Sequence, residues 1–184
     1  MEAKFLSKKN KLIGKERREA ILDWLKRSDT PLTGGELAER AGVSRQVIVQ
    51  DISLLKATQE PIMSTSKGYL FLKDTAGKEK FQRSIVVKHQ PDQTEEELNC
   101  IVDQGVTVLD VIVEHPLYGE LKAPIMVSDR LDVQQFIENI TAKNAPYLLE
   151  LTDGIHLHTL ESESEEKLNA AYNVLKEKNF IVED

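Results

Sequence analysis

Apolar positions recur at helical spacing in three successive segments of the first third of the chain. This spacing predicts helices over residues 15–27, 36–41 and 45–55. Their inward-facing apolar residues are, in chain order, Ile21, Trp24, Leu25, Leu37, Ala38, Ala41, Val47, Ile48, Ile52 and Leu55. Each predicted helix therefore has one buried face and one exposed face.

Polar residues and a glycine mark the ends of these helices. Thr33 and Glu36 have the spacing of a capping box at the start of the second helix. Gly42 supplies the left-handed turn needed between the second and third helices, and Ser44 is suited to cap the third. A helix, a tight glycine turn and a second helix with a polar tip together indicate a helix-turn-helix.

The third helix carries Arg, Gln and Ser on its exposed face, where a solvent-facing helix usually carries Glu and Lys. Arginine can pair bidentately with guanine, and glutamine can pair bidentately with adenine. The residues predicted to contact DNA from this helix are Ser44, Arg45, Gln46, Val49, Gln50 and Ser53. The alternative is a helical bundle whose exposed face is simply polar.

A hairpin is predicted directly after the third helix. Residues 62–64 and 69–72 are short strand-like runs, and residues 65–68 between them form a turn signal. Lys67 at the tip would meet a phosphate or the minor groove, unless it is an ordinary solvated turn lysine. The pattern predicts a winged helix-turn-helix domain over residues 1–73.

The rest of the chain alternates between strand and helix patterns after a polar linker, residues 74–80. For the second domain, residues 81–184, strands are predicted over 84–89, 106–114, 121–127, 148–152 and 155–160, and helices over 94–105, from Ser128 onward, and over 163–179. Asp153 and Gly154 predict a hairpin between the last two strands. The order favours an α+β sandwich with helices on one face of a mostly antiparallel sheet, and it leaves the strand order open.

The distribution of charge divides the chain at the same place. The net charge is −7. Residues 1–73 carry 14 Lys and Arg against 9 Asp and Glu, whereas residues 74–184 carry 10 against 22. A basic first half and an acidic second half are expected when a phosphate-binding module is joined to a domain that does not bind DNA.

Other features of the composition favour a cytoplasmic protein without a membrane partner. The chain has no run of about 18 apolar residues and no apolar signal segment at its start. Its single cysteine, Cys100, fits a reducing compartment and is expected in a core or half-buried position. No phosphate-binding loop, nucleophile elbow or H-E-x-x-H motif is present, so no enzymatic activity is predicted.

All four histidines lie in the acidic half. His156 and His158 are two residues apart on a predicted strand, so both side chains project from one face. With His89 and Glu97 they would form a nitrogen-rich site for Zn, Ni, Fe or Co. The alternatives are a polar strand face for the histidine pair and a capping box in which Glu97 binds the amide of Thr94. His115 precedes Pro116 and is interpreted as a pocket or structural residue.

Several motifs in both halves of the chain point to a known family. They are residues 31–38 (PLTGGELA) and 44–56 (SRQVIVQDISLLK) in the first half, and His89, residues 115–120 (HPLYGE) and residues 154–158 (GIHLH) in the second. Together they resemble the niacin-responsive transcription repressors. The second half is similar to the three-histidine (3H) domain of that family. The resemblance extends from about residue 15 to the C-terminus.

The resemblance implies a dimeric repressor of genes for NAD synthesis or niacin uptake, with nicotinic acid as co-repressor and operator DNA as partner. It implies an HPr-like sensor fold and one transition metal, nickel or zinc, held by His89, Glu97, His156 and His158. We also place His115 and Tyr118 in the effector pocket. Two alternatives remain: a regulator in which the metal itself is the effector, and a metal-dependent hydrolase that uses the winged helix for recruitment.

Overall fold

A computed structural model describes residues 13–72 and 80–183, which form two compact units that divide between residues 75 and 76. Residues 74–79 of the predicted linker lie outside the described residues, and Lys80 immediately precedes the first strand of the second unit. None of the helices in the described ranges has both the length and the apolar character needed to cross a membrane.

The first unit contains the three predicted helices and the hairpin. The helices are α1 (Gly14–Arg27), α2 (Gly34–Ala41) and α3 (Arg45–Ala57), and the strands are β1 (Ile62–Thr65) and β2 (Gly68–Phe71). Its core consists of Ile21, Leu25, Leu32, Leu37, Ala38, Ala41, Ile48, Ile52, Leu55 and Ile62. Trp24 and Tyr69 are half-buried against this core.

The helix ends follow the local rules expected from the sequence. Thr33 caps α2 and forms a capping box with Glu36, whose carboxylate accepts from the Thr33 amide at 2.7 Å. This bond lowers the pKa of Glu36. Gly42 ends α2 in the left-handed conformation, and the hydroxyl of Ser44 caps α3. The short, sharply turned connection fixes the direction of α3.

The second unit is a four-stranded antiparallel sheet covered by helices. Its elements are β3 (Phe81–Lys88), α4 (Thr94–Val102), β4 (Thr107–His115), β5 (Gly119–Val127), α5 (Arg130–Lys143), β6 (Ile155–Ser162) and α6 (Glu165–Glu177). The strand order is β3-β6-β4-β5, and every neighbouring pair is antiparallel. Helix α4 lies between α5 and α6, and all three helices contact the sheet. The predicted α+β class is confirmed.

One predicted strand is wrong. Leu148–Thr152 forms a 3-10 helix rather than the first arm of a hairpin. The physical reason is the position of β6, which is hydrogen-bonded to β3 on one edge and to β4 on the other. Because a strand has only two edges, no place is left for residues 148–152 beside it. The turn itself is present, with Asp153 in the left-handed conformation.

Two predicted helix caps are also corrected. Helix α5 is capped by Asp129, whose carboxylate accepts from the Asp132 amide, rather than by Ser128. The capping box near residue 94 joins Gln90 and Gln93 across a short 3-10 helix, Pro91–Gln93. Thr94 is therefore already inside the helical turn, and the Glu97 carboxylate is not used as a cap.

Candidate functional site

Three histidines and one glutamate meet inside the second unit. His89 directly follows β3, His156 and His158 alternate along β6, and Glu97 projects from α4. All four are buried, with at most 4% of any residue exposed. The structure thus brings together the four residues grouped in the sequence analysis.

The Glu97 carboxylate lies among the three imidazole rings. Its Oε2 atom is 2.9 Å from His89 Nε2 and 3.7 Å from His156 Nε2, and its Oε1 atom is 3.2 Å from His158 Nε2. Potential ligand atoms of His89, Glu97 and His156 all lie within 4.8 Å of one another. The Nε2 atoms of all three histidines therefore point towards one carboxylate.

The opposite nitrogen of each ring is held by a backbone carbonyl. His89 Nδ1 lies 2.8 Å from the oxygen of Gln90, His156 Nδ1 lies 2.9 Å from that of Gly154, and His158 Nδ1 lies 2.6 Å from that of Asp110. A carbonyl can only accept, so each Nδ1 must carry the proton. When the rings are neutral, each Nε2 atom carries a lone pair and can only accept a hydrogen bond. The Glu97 carboxylate that these atoms face can also only accept. This orientation is typical of metal-binding histidines.

Two atoms in the cluster lack a hydrogen-bond partner among the residues that the structure describes. Glu97 Oε1 and His158 Nε2 are buried and close to each other, but they are not aligned for a hydrogen bond. Burial opposes ionisation of Glu97, yet the surrounding imidazoles hold its pKa well below the usual value. Burial likewise opposes protonation of His89 and His158, and the Glu97 carboxylate nevertheless raises the pKa of both. The cluster therefore favours positive charge beside an ionised carboxylate.

An apolar cavity of about 160 Å³ adjoins this cluster. Its polar end is formed by Thr94, Glu97, His156 and His158. Its walls come from the sheet, from α5 and from the segment that follows α5, and include Val111, Ile125, Phe136, Ile140, Tyr147 and Leu149. The buried hydroxyl of Thr94 has no partner among the described residues. Apolar walls with a few convergent polar groups are typical of a small-molecule site.

The two residues assigned from sequence to the effector pocket lie elsewhere. His115 ends β4, and Tyr118 follows in the turn to β5, where it is 71% exposed. His115 Nδ1 accepts from the amides of Leu117 and Tyr118, so it organises this turn. Neither residue lines the cavity, and their role in effector binding stays a prediction. The wall residues Phe136 and Tyr147 were missed because no local motif marks them.

The predicted DNA-reading residues form one exposed surface on α3. Arg45, Gln46, Val49, Gln50 and Ser53 are all exposed, and Ser44 caps the helix beside them. Lys67 lies in the turn between β1 and β2 and is half-buried.

The opposite side of α3 contains a buried acid that sequence reasoning missed. Asp51 is 2% exposed and lies 2.5 Å from Arg17 Nε of α1, with Arg18 at 3.6 Å. This ion pair ties α3 to α1.

Comparisons with known proteins match both units. The family model of an HTH domain matches residues 17–70, and that of the 3H domain matches residues 82–184. The chain is 52% identical over 175 residues to the transcription repressor NadR of Bacillus subtilis, covering 95% of this chain and 97% of the relative. It is 41% identical over 174 residues to the probable transcription repressor NiaR of Thermotoga maritima, covering 95% and 98%.

These matches extend over both units in the same order, so they concern the whole architecture rather than a shared module. An HTH domain in a transcription repressor binds DNA. Both relatives are named as transcription repressors. The chain belongs to the family of transcription repressors in which a helix-turn-helix domain precedes a 3H domain.

Proposed function

We propose that this protein represses genes for NAD synthesis or niacin uptake in the cytoplasm, and that nicotinic acid acts as co-repressor. One observation carries the proposal: three imidazole nitrogens face the Glu97 carboxylate, and Glu97, His156 and His158 line one end of an apolar cavity. That arrangement offers a metal site and a small-molecule site side by side, in a chain whose other unit is a DNA-binding domain.

The donor set supports one divalent transition metal per chain, zinc or nickel. His89, Glu97, His156 and His158 would hold it, because each histidine already has its Nδ1 proton committed to a carbonyl. Imidazole nitrogens with one carboxylate suit Zn and Ni better than Mg or Ca. When bound, the ion supplies a Lewis acid that attracts an anionic or nitrogen-containing ligand.

The cavity supports an aromatic acid as the ligand. Its walls are apolar and include the rings of Phe136 and Tyr147, which suit a flat heteroaromatic ring. Its polar end contains, beside the cluster, the hydroxyl of Thr94, for which residues 13–72 and 80–183 offer no hydrogen-bond partner. Nicotinic acid combines a pyridine ring with a carboxylate, so it matches both parts of the cavity.

The α3 surface supports sequence-specific binding to a double-stranded operator. Arg45, Gln46 and Gln50 can donate to and accept from base edges in the major groove, while Ser44, Val49, Ser53 and Lys67 flank them. A homodimer would place two such helices about 34 Å apart, or a multiple of this, on a two-fold operator. Ligand binding would then favour the dimer arrangement that fits the operator.

The proposal is tested by calorimetric titration of nicotinic acid into the full chain, once loaded with zinc or nickel and once stripped by a chelator. We expect binding only to the loaded protein, with benzoic acid and nicotinamide as comparison ligands. Binding of equal strength to both forms would reduce the metal to a structural role. Absence of binding in both forms would overturn nicotinic acid as the effector.

A second candidate is a repressor whose effector is the metal itself. The observation in its favour is that Glu97 and the three histidines around it supply four potential donor atoms from the chain itself. Operator binding that responds to zinc or nickel alone, and is unchanged by nicotinic acid, would favour this candidate.

A further inference from the structure

The first residue of α2 lies against the first residue of α3. Gly34 begins α2 and is buried, and Arg45 begins α3 and is exposed. The side chain of Arg45 passes directly over Gly34, and the ring of Tyr69 lies on the same side. Within the described ranges the Arg45 guanidinium makes no hydrogen bond or ion pair. The direction of the guanidinium therefore depends on how the aliphatic part of the Arg45 side chain, its stem, packs against its neighbours.

A side chain at position 34 would press against the stem of Arg45. A Cβ atom added to Gly34 would lie 3.3 Å from Arg45 Nε and 3.4 Å from Arg45 Cγ. The first distance is shorter than nine in ten real Cβ contacts, so the Arg45 side chain would have to shift by a few tenths of an ångström. The neighbouring Gly35 gives the contrast. A Cβ atom there would meet only the Thr33 hydroxyl at 3.8 Å, which is ordinary contact.

The backbone around Gly34 is held firmly, so the arginine is the part that would move. Leu32 exchanges two backbone hydrogen bonds with Tyr69, of 2.9 and 2.8 Å. Gly68 brings β2 so close that a Cβ atom there would lie 2.4 Å from the Leu32 oxygen. Thr33 is fixed by its capping box. The segment before α2 is thereby attached to strand β2 on one side and to α2 on the other.

We propose that Gly34 is a positioning residue for DNA recognition: its missing side chain directs the Arg45 guanidinium towards one base. The inference rests on the proposed base-reading role of Arg45. Neither helix requires a glycine at position 34 for its own backbone, because Gly34 has a φ that other residues adopt readily. What a side chain at position 34 would change is the path of the Arg45 side chain.

The test compares Gly34→Ala with Gly35→Ala in the full-length protein, loaded with zinc and nicotinic acid. Each protein is used to select from a pool of randomised DNA duplexes, and the selected sequences and their affinities are measured. Arg45→Ala and the double variant Gly34→Ala/Arg45→Ala complete a double-mutant cycle. Circular dichroism melting checks that Gly34→Ala and Gly35→Ala are folded. Both should be folded, because alanine has a higher helix propensity than glycine.

We expect the wild type and Gly35→Ala to select the same sequence. Gly34→Ala should lose preference at the position that Arg45→Ala also relaxes, with affinity for the wild-type site reduced about 5- to 100-fold, within the range for one bidentate base contact. Affinity for unrelated duplexes should be unchanged. In the Arg45→Ala background, Gly34→Ala should have no further effect.

Two results would overturn the inference in different ways. If Gly34→Ala selects the same DNA sequence as the wild-type protein and binds it with the same affinity, the positioning role of Gly34 is wrong and the base-reading role of Arg45 stands. If Arg45→Ala selects the same DNA sequence as the wild-type protein, or if the wild-type protein shows no preference among DNA sequences, the proposed DNA-reading surface is wrong. The positioning role of Gly34 then fails with it.

Discussion

Glu97 is one of three consecutive glutamates, and only its place on the helix distinguishes it. Glu95 and Glu96 are exposed, and Glu96 pairs with Lys178 at 2.6 Å, whereas Glu97 is fully buried among the imidazoles. An ionised carboxylate in such surroundings is stable only beside compensating positive charge. Glu97 is therefore the residue on which the charge balance of the cluster depends.

Glu97→Gln should weaken zinc and nickel binding strongly, because an amide oxygen replaces the only anionic donor in the cluster. We expect a loss of affinity of about 100-fold or more, beyond the 10- to 100-fold typical of changes outside the ligand shell. Competition with a chromogenic chelator measures this directly. Glu96→Gln, which removes the same charge one residue away, is the control and should bind as the wild type does. Equal affinities for all three proteins would rule out Glu97 as a ligand.

Part of this cluster could be predicted from the sequence. The two-residue spacing of His156 and His158 placed both rings on one strand face, and both are indeed buried there. The grouping with His89, at a predicted strand end, and Glu97, in the helix after it, was one of several readings of the sequence, and the family resemblance favoured it over the alternatives. The carbonyls that orient the three rings were not predicted, because backbone atoms have no sequence signature.

At the scale of the elements, the cluster depends on the position of β6 inside the sheet. His156 lies opposite Val87 and His158 opposite Ile85 on β3, and His158 also pairs with Val111 on β4. The element types and most of their bounds followed from periodicity, but the strand order did not. Residues 148–152 show the consequence: a segment with strand-like composition became a 3-10 helix because both edges of β6 are occupied.

The turn before β6 offers a prediction at this scale. Gly154 has φ +90°, and a Cβ atom there would lie 2.3 Å from the His89 backbone oxygen. Its own oxygen accepts from His156 Nδ1 and from the His89 amide. Gly154→Ala should therefore lower the free energy of unfolding by about 3–4 kcal/mol, combining left-handed strain with a backbone clash. It should also reduce metal affinity about 10- to 100-fold.

Gly119→Ala is the matched control, since Gly119 has φ +69° but open space around its Cα. Its cost should be limited to about 1–2 kcal/mol of backbone strain, and metal affinity should be unchanged. Urea unfolding followed by circular dichroism, together with chelator competition, measures both quantities. Equal costs for the two variants would show that the approach of Gly154 to His89 is unimportant for the site.

At the scale of the whole molecule, the two units differ in where their chemistry lies. The predicted DNA-contacting groups are on an exposed helix and an adjoining turn, whereas the proposed metal donors are all buried. Charge asymmetry indicated this division from the sequence, with net charges of +5 before residue 74 and −12 after it. The cavity could not be predicted, because its walls come from segments far apart in the sequence.

This division predicts that DNA affinity and metal affinity respond differently to salt. DNA affinity should fall steeply between about 50 and 200 mM salt, with a logarithmic slope of roughly −0.9 for each phosphate neutralised. Metal affinity at constant pH should change little, because screening by salt acts weakly on buried charges. Fluorescence anisotropy with a labelled duplex and chelator competition measure the two dependences on one preparation. Arg45→Ala should weaken binding to the selected DNA sequence but leave the salt-dependence slope for unrelated DNA nearly unchanged. The reason is that base contacts determine sequence discrimination, whereas phosphate contacts determine the salt dependence. A flat salt profile for DNA would mean that the basic half of the chain does not meet the phosphate backbone.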